Sequence, residues 1–113
     1  MGINSRLKGA KGEREVARIL REYGYTDARR GQQFSGANGD PDVVGLPGVH
    51  LEVKRVERLN IDNAMAQSMN DAREGETPVV VHRKDGKKWL VTMTLDDFMK
   101  LYENSCSENK RTV

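Results

Sequence analysis

The sequence lacks the features of a secreted or membrane-inserted protein. Its 113 residues include a single cysteine, Cys106, so no intrachain disulfide can form. No apolar run is long enough to span a bilayer, and residues 1–6 lack the apolar run of a signal peptide. We therefore expect a cytoplasmic protein, in a reducing compartment, with no membrane partner.

A strong net charge is absent too, since the formal charge is +2 at pH 7 with 32% charged and 36% hydrophobic residues. We expect one domain at residues 1–103, followed by a polar, flexible tail at 104–113. Basic side chains outnumber acidic ones in residues 1–31. That bias favours contacts with phosphate groups, although a helix face with internal ion pairs explains it equally well.

Hydrophobic periodicity predicts an α/β protein in which one central mixed β-sheet is flanked by helices, in the order αβββαββα. The predicted helices cover residues 8–23, residues 60–73 and a segment that follows a capping box at 94–97. The predicted strands cover residues 25–30, 43–44, 51–56, 77–82 and 88–93. Residues 31–40 are polar and rich in glycine, which predicts a mobile loop.

Three charged residues cluster around the second and third predicted strands. Glu52 and Lys54 are two residues apart, so on a strand they project from one face, while Leu51 and Val53 project into a core. Antiparallel pairing of the two strands would bring Asp42 to the same end of the sheet. Carboxylate oxygens suit a hard divalent cation such as Mg²⁺, and an adjacent ammonium group supports negative charge. This set is what metal-assisted hydrolysis of a phosphodiester requires.

Each part of this pattern is common by itself. A Pro41-Asp42 pair is usually a turn, and an acid two residues from a lysine is usually a solvated strand face. The order, the spacing and the flanking apolar residues together favour a site over these readings.

The pattern resembles the Asp–Glu–x–Lys core of the PD-(D/E)xK nuclease superfamily. With the segment Lys8-Gly9-Ala10-Lys11-Gly12-Glu13-Arg14-Glu15-Val16 before it, the chain looks closest to archaeal-type Holliday-junction resolvases and their phage relatives. The resemblance covers roughly the first half of the chain. It implies a restriction-endonuclease-like core and a metal-dependent DNA endonuclease that acts on branched DNA during DNA recombination.

The resemblance also implies roles for individual residues. By this resemblance, Asp42, Glu52 and the backbone carbonyl of Val53 would bind the metal ion. The cofactor would be Mg²⁺, and Mn²⁺ could replace it. Glu13 would hold a metal-bound water molecule or a second ion. The alternative is that Glu13 is a helix-surface glutamate that pairs with an arginine. Lys54 would orient the attacking water and stabilise the phosphate in the transition state.

Other expectations concern DNA and the oligomeric state. The candidates for DNA contact are Lys8, Lys11, Arg14, Arg29, Arg30, Ser35 and Gln67. Symmetric cutting of a junction needs two sites related by a two-fold axis, which predicts a homodimer. Two alternatives remain open: a small phage-type nicking or restriction-like nuclease, and a non-catalytic nucleic-acid-binding protein that keeps the fold.

Some chemically active residues carry no site prediction. His50 and His82 have no cysteine partners at ligand spacing, so zinc is not supported, and His82 is interpreted as an ordinary strand residue. Trp89 is assigned to the core rather than to base stacking. Asp40 could be a further ligand, but its position between Gly39 and Pro41 favours a turn.

Overall fold

A computed structural model describes the backbone of residues 2–32 and 40–111 and the side chains of residues 9–32 and 40–106. Its elements are α1 (Gly2–Glu22), β1 (Arg29–Arg30), β2 (Val43–Val44), β3 (Val49–Arg55), α2 (Ile61–Asp71), β4 (Thr77–Arg83), β5 (Leu90–Thr92) and α3 (Leu95–Arg111). The predicted order αβββαββα is confirmed. Among the described residues, no helix combines the length and the hydropathy that crossing a bilayer requires.

The bounds of some elements differ from the prediction. β1 is shorter than residues 25–30 because the N–H of Ala28 donates to the carbonyl of Tyr25, 3.0 Å away, and closes a turn there. α2 ends at Asp71, where the next residue leaves the helical conformation. α3 continues as a helix beyond residue 103, the expected end of the domain.

Side chains that begin the last two helices behave as predicted. Asn60 caps α2, since its side chain accepts a hydrogen bond of 3.0 Å from the N–H of Asn63. Thr94 does the same for α3, where its hydroxyl accepts from the N–H of Asp97 at 3.1 Å. Both helices therefore start where the capping signals in the sequence place them.

The strands form one five-stranded sheet in the order β1-β2-β3-β4-β5. β3 and β4 are parallel and the other neighbours are antiparallel, so the sheet is mixed as expected. A parallel pair needs a crossover connection, and α2 supplies it. In this register Val43 lies opposite Leu51, and Lys54 lies opposite His82.

The hydrophobic core lies between α1 and the sheet. Val16 and Ala17 of α1 pack in one cluster with Leu51 and Val53, which confirms that these two strand residues project into a core. Trp89 is half-buried against the same cluster, and its ring N–H donates to Glu15 at 3.0 Å. The other face of β3, with Glu52 and Lys54, is thereby left for the site.

Candidate functional site

Backbone pairing between β2 and β3 holds Asp42 beside the middle of β3. The N–H of Asp42 donates to the carbonyl of Leu51 at 2.9 Å, and its Oδ2 accepts from the N–H of Val53 at 2.8 Å. The carboxyl group also forms a side-chain hydrogen bond with Glu52. The predicted hairpin therefore brings the two acids together, as antiparallel pairing required.

Burial and mutual repulsion disfavour a state in which Asp42 and Glu52 both carry a full negative charge. Burial raises the pKa of Asp42 to about 7, and the nearby charge of Glu52 adds to this. Burial also opposes ionisation of Glu52, but hydrogen bonds from His50 and Asp42 outweigh it and lower the pKa of that group. Asp42 is therefore the acid of the pair that keeps a proton up to about neutral pH, and it can donate that proton to the Glu52 carboxylate. Two acids held this way fit a divalent cation, which would replace the shared proton.

Glu13 reaches the site from α1. Its charge is close enough to contribute to the raised pKa of Asp42. Its Oε1 also accepts from Nε of Arg30 at 2.8 Å, so the arginine partner of the alternative interpretation is present as well. Gly12 lets the helix approach the sheet closely, since a Cβ there would lie 3.2 Å from Cβ of Arg55.

Lys54 completes the cluster on the same face of β3. Its charge helps to lower the pKa of Glu52. Its Nζ donates to Oε1 of Gln67 at 3.4 Å, so α2 places an amide beside the ammonium group. The structure therefore brings Gln67, which the sequence analysis offered as a DNA contact, to the cluster of acids and lysine.

His50 is the residue that the sequence analysis missed. It is only 1% exposed, and its Nε2 lies 2.9 Å from Oε1 of Glu52, while its Nδ1 lies 3.6 Å from Oε1 of Glu76. Burial lowers the pKa of His50, but the hydrogen bond to Glu52 and the charges of Glu76 and Asp71 outweigh this and raise it. The signal was present in the sequence, because positions 50, 52 and 54 alternate onto one strand face.

Two overlapping sets of side chains could hold a metal ion. The first is the predicted set of Asp42 and Glu52 with Glu13 nearby, whose oxygen-only chemistry suits Mg²⁺ or Mn²⁺. The second is His50, Glu52 and Asp71, whose ligand atoms lie within 4.8 Å of one another. In the second set, Nε2 of His50 already forms a hydrogen bond with Glu52. The first set stays the predicted metal centre, because carboxylate oxygens alone match the preference of Mg²⁺ for hard ligands.

The remaining predicted residues occupy different surroundings. Lys11, Arg14 and Arg29 are exposed, and Asp40 accepts a hydrogen bond of 3.1 Å from the N–H of Gln32 at the end of the loop. Ser35 and the side chain of Lys8 lie outside the described residues. A ligand role for the Val53 carbonyl stays a prediction.

The raised pKa of Asp42 predicts how the stability of the metal-free protein depends on pH. The folded state keeps a proton that the unfolded chain loses above its ordinary pKa of 3.8, so stability falls as the pH rises from there to about 7. The raised pKa of His50 acts in the same direction, and the lowered pKa of Glu52 acts only below 4.5. We expect a loss on the order of 4 kcal/mol, because one pKa unit is worth about 1.4 kcal/mol.

Urea unfolding across this range, with and without Mg²⁺, measures the effect. Mg²⁺ should restore most of the loss near neutral pH, because it replaces the proton. Asp42→Asn should flatten the pH dependence, since it removes the titrating group. A wild-type stability that rises steadily between these pH values in the absence of metal would contradict the proton shared by the two acids.

Comparison with known families identifies the chain. The model of the family described as "Phage putative PDDEXK endonuclease" matches residues 4–113. No curated protein and no solved structure matches the chain. The matched range includes α1 and the β2–β3 hairpin with its acids and lysine, so the predicted membership of the PD-(D/E)xK superfamily and its phage relatives is confirmed. Nucleases of this superfamily use divalent metals. The chain belongs to this family of phage PDDEXK endonucleases.

Proposed function

We propose that this protein is a Mg²⁺-dependent endodeoxyribonuclease that cuts branched DNA in the manner of a Holliday-junction resolvase. The observation that carries the proposal is the half-buried carboxyl group of Asp42 held against the buried carboxyl group of Glu52, beside Lys54. A purely structural ion pair needs one acid and one base and would not hold a second carboxyl group against the first. Its place of action would be the cytoplasm of a bacterial host cell, which fits a phage family and a chain with a single cysteine.

Asp42, Glu52 and the carbonyl of Val53 would hold the cation, with Mn²⁺ able to replace Mg²⁺. When bound, the cation polarises the scissile phosphate and lowers the pKa of a coordinated water. Glu13 contributes a further negative charge from α1, and its ion pair with Arg30 limits the range of positions its carboxylate can take. The protein groups thus supply an oxygen-lined position that would suit one divalent cation.

Lys54 and Gln67 act on the phosphate side of this position. The ammonium group of Lys54 stabilises the negative charge that grows on the phosphate as the water attacks. Gln67 accepts a hydrogen bond from it at 3.4 Å and so favours one orientation of a long, flexible side chain. The cleavage step therefore depends on the strand face that β3 presents and on the position of α2.

A homodimer would supply the two sites that symmetric cutting requires. β5 and α3 offer a surface for the second copy, because Val91, Leu95, Phe98 and Tyr102 are all exposed there. Within the described residues, α3 makes no extensive packing contact with another element. A second copy would cover this apolar surface. Strictly monomeric sedimentation at micromolar concentration, with and without DNA, would argue against the resolvase and favour the nicking alternative.

Cleavage of matched substrates tests the function. A labelled four-way junction and a linear duplex with the same arm sequence are incubated with the protein and Mg²⁺, Mn²⁺ or EDTA. We expect metal-dependent cuts in the junction, at paired positions in two strands, and little cutting of the duplex. Single-strand cuts in both substrates would support the nicking or restriction-like alternative. Binding without any cutting in either metal would support the non-catalytic alternative.

Replacing His50 tests whether its contact with Glu52 positions the metal ligand. His50→Leu removes the donor at Nε2, whereas His50→Gln places an amide N–H near the same point. We expect His50→Leu to weaken Mn²⁺ binding by about tenfold or more and His50→Gln to recover most of the loss, as for contacts that orient metal ligands. Calorimetry measures the binding. Equal losses in two folded variants would show that packing, and not the hydrogen bond, is what matters.

A further inference from the structure

We infer that a second DNA-contacting surface lies beside the metal centre, in a groove whose basic side chains bind the sugar–phosphate backbone next to the cut. The groove has a volume of about 970 Å³ and is lined by residues after β3, at the start of α2 and around the β4–β5 turn. We call it the basic groove. The choice of DNA as its ligand rests on the proposed function. None of the residues that line the groove is among those that the sequence analysis predicted to contact DNA.

The charge of the basic groove is strongly positive. Its lining includes five basic side chains and one acidic side chain, Glu57. Arg83 is held by Glu15, with Nη2 at 2.9 Å, and lies over the ring of Trp89. The other four basic side chains are exposed: Arg58, Lys84, Lys87 and Lys88. A small domain with a net charge of only +2 thus places five of its 19 lysine and arginine residues, with one acid, around one concave surface.

Acidic groups near this surface are already engaged. Oε2 of Glu57 accepts a hydrogen bond of 2.8 Å from the N–H of Asp85 in the β4–β5 turn. The carboxylate of Asp85 lies 3.3 Å from Nη2 of Arg55. These contacts reduce the negative potential that the two acids would otherwise add, so an anion in the groove meets mainly ammonium and guanidinium groups.

The basic groove is continuous with the metal centre. Lys54 lies opposite His82 in the parallel pairing of β3 and β4, so the two side chains are neighbours on one face of the sheet, and His82 lines the groove. α2 joins the two regions as well, since Ile61 at its start lines the groove and Gln67 contacts Lys54. A strand whose phosphate lies at Lys54 can therefore continue directly into the groove.

The dimensions suit a nucleic-acid backbone. Three neighbouring strands, β3 to β5, span about 10 Å. One strand of duplex DNA carries a phosphate about every 3.4 Å along the helix axis, so a surface of that width can contact more than one phosphate of a strand. Leu59 and Leu90 supply apolar surface between the basic groups, where a deoxyribose can pack. Lysine and arginine around an apolar floor match a sugar–phosphate chain better than they match a small anion.

A charge-deletion variant with a matched control tests the groove. The groove variant is Lys84→Ala/Lys87→Ala/Lys88→Ala, and the control variant removes the same charge elsewhere, as Arg18→Ala/Arg73→Ala/Lys100→Ala. All six side chains are exposed, so both proteins should fold, which thermal melting checks. A third variant, with arginine at the three groove positions, keeps the charge. Binding of a labelled four-way junction is measured by anisotropy in EDTA at several salt concentrations.

We expect the groove variant to bind at least tenfold more weakly than the control variant at low salt. The slope of log K against log salt should become shallower by up to about 2.7, because each lost phosphate contact releases about 0.9 fewer counterions. The arginine variant should bind like the wild type. In cleavage assays KM should rise more than kcat falls, since the groove acts on binding rather than on the reacting phosphate.

The results separate the groove from the proposed function. A wild-type protein that cuts DNA, with equal affinity and salt slope in the groove and control variants, would overturn the groove alone. A wild-type protein that cuts no DNA would overturn the proposed function. In that case, selective weakening of single-stranded RNA binding by the groove variant would still support a backbone-binding groove, and equal RNA binding by both variants would overturn it.

Discussion

Asp42→Asn is expected to abolish both metal binding and cleavage while DNA binding in EDTA survives. The asparagine keeps the shape of the side chain and can still accept from the N–H of Val53, the contact that measures 2.8 Å in the structure. It replaces a carboxyl group that can give up its proton to a cation with a neutral amide, however, so a divalent cation meets one strong oxygen ligand fewer. DNA binding without metal should be unchanged below about pH 7, where Asp42 keeps its proton, and tighter only above it, where one source of repulsion toward phosphate is gone.

Calorimetric titration with Mn²⁺ and cleavage of a labelled four-way junction measure these effects. Asp27→Asn is the matched control, since it makes the same charge change at an exposed position before β1 and should keep wild-type binding and cleavage. We expect the rate of junction cleavage by Asp42→Asn to fall by roughly a thousandfold or more. This loss is larger than that caused by removing one group that stabilises the transition state, because the metal ion is lost as well. Wild-type cleavage by Asp42→Asn would mean that the active site lies elsewhere.

Lys54→Ala is expected to separate metal binding from the chemical step. The carboxyl groups of Asp42 and Glu52 remain, so Mn²⁺ should still bind with an affinity close to that of the wild type. Cleavage should slow by about 10²–10³-fold, because the ammonium group that stabilises charge on the phosphate is missing. This pattern differs from that of Asp42→Asn, where binding and cleavage are lost together.

Single-turnover cleavage at saturating Mn²⁺ is the measurement for Lys54→Ala, since it excludes product release. Lys100→Ala is the control, because it removes an exposed lysine of α3 whose Nζ lies 4.0 Å from Asp97. Gln67→Ala should give a smaller loss than Lys54→Ala, as it affects only the orientation of the ammonium group. A Lys54→Ala protein that cuts at the wild-type rate would remove Lys54 from the proposed mechanism.

The cluster of Asp42, Glu52 and Lys54 could be predicted because its geometry is local. Strand residues two apart share a face, and two short strands joined by a turn of a few residues pair antiparallel. Those two rules bring Asp42 beside Glu52 without any knowledge of the remaining chain, and the side-chain hydrogen bond between them agrees. The order of helices and strands was predictable for the same reason, since periodicity and capping depend on near neighbours.

Contacts between distant segments were decided only by the tertiary structure. Glu13 and Arg30 are 17 residues apart, and no periodic pattern specifies that their side chains meet at 2.8 Å. The burial of His50 against Glu52 depends on how α2 covers β3, so the sequence analysis considered this histidine only as a zinc ligand. Burial and its effect on pKa arise from the whole packed molecule, not from neighbours in sequence.

The basic groove shows the same division most clearly. Arg58 follows β3 and Lys84 follows β4, and in the sequence each belongs to an ordinary polar connection. Parallel pairing of the two strands places the segments after them at one edge of the sheet, beside Lys54. The sequence by itself determined the order of elements, the hairpin and the chemistry of its acids and lysine. Which charges from the second half of the chain surround that hairpin was decided by the long-range pairing of β3 with β4, because only this pairing brings residues far apart in sequence to one surface.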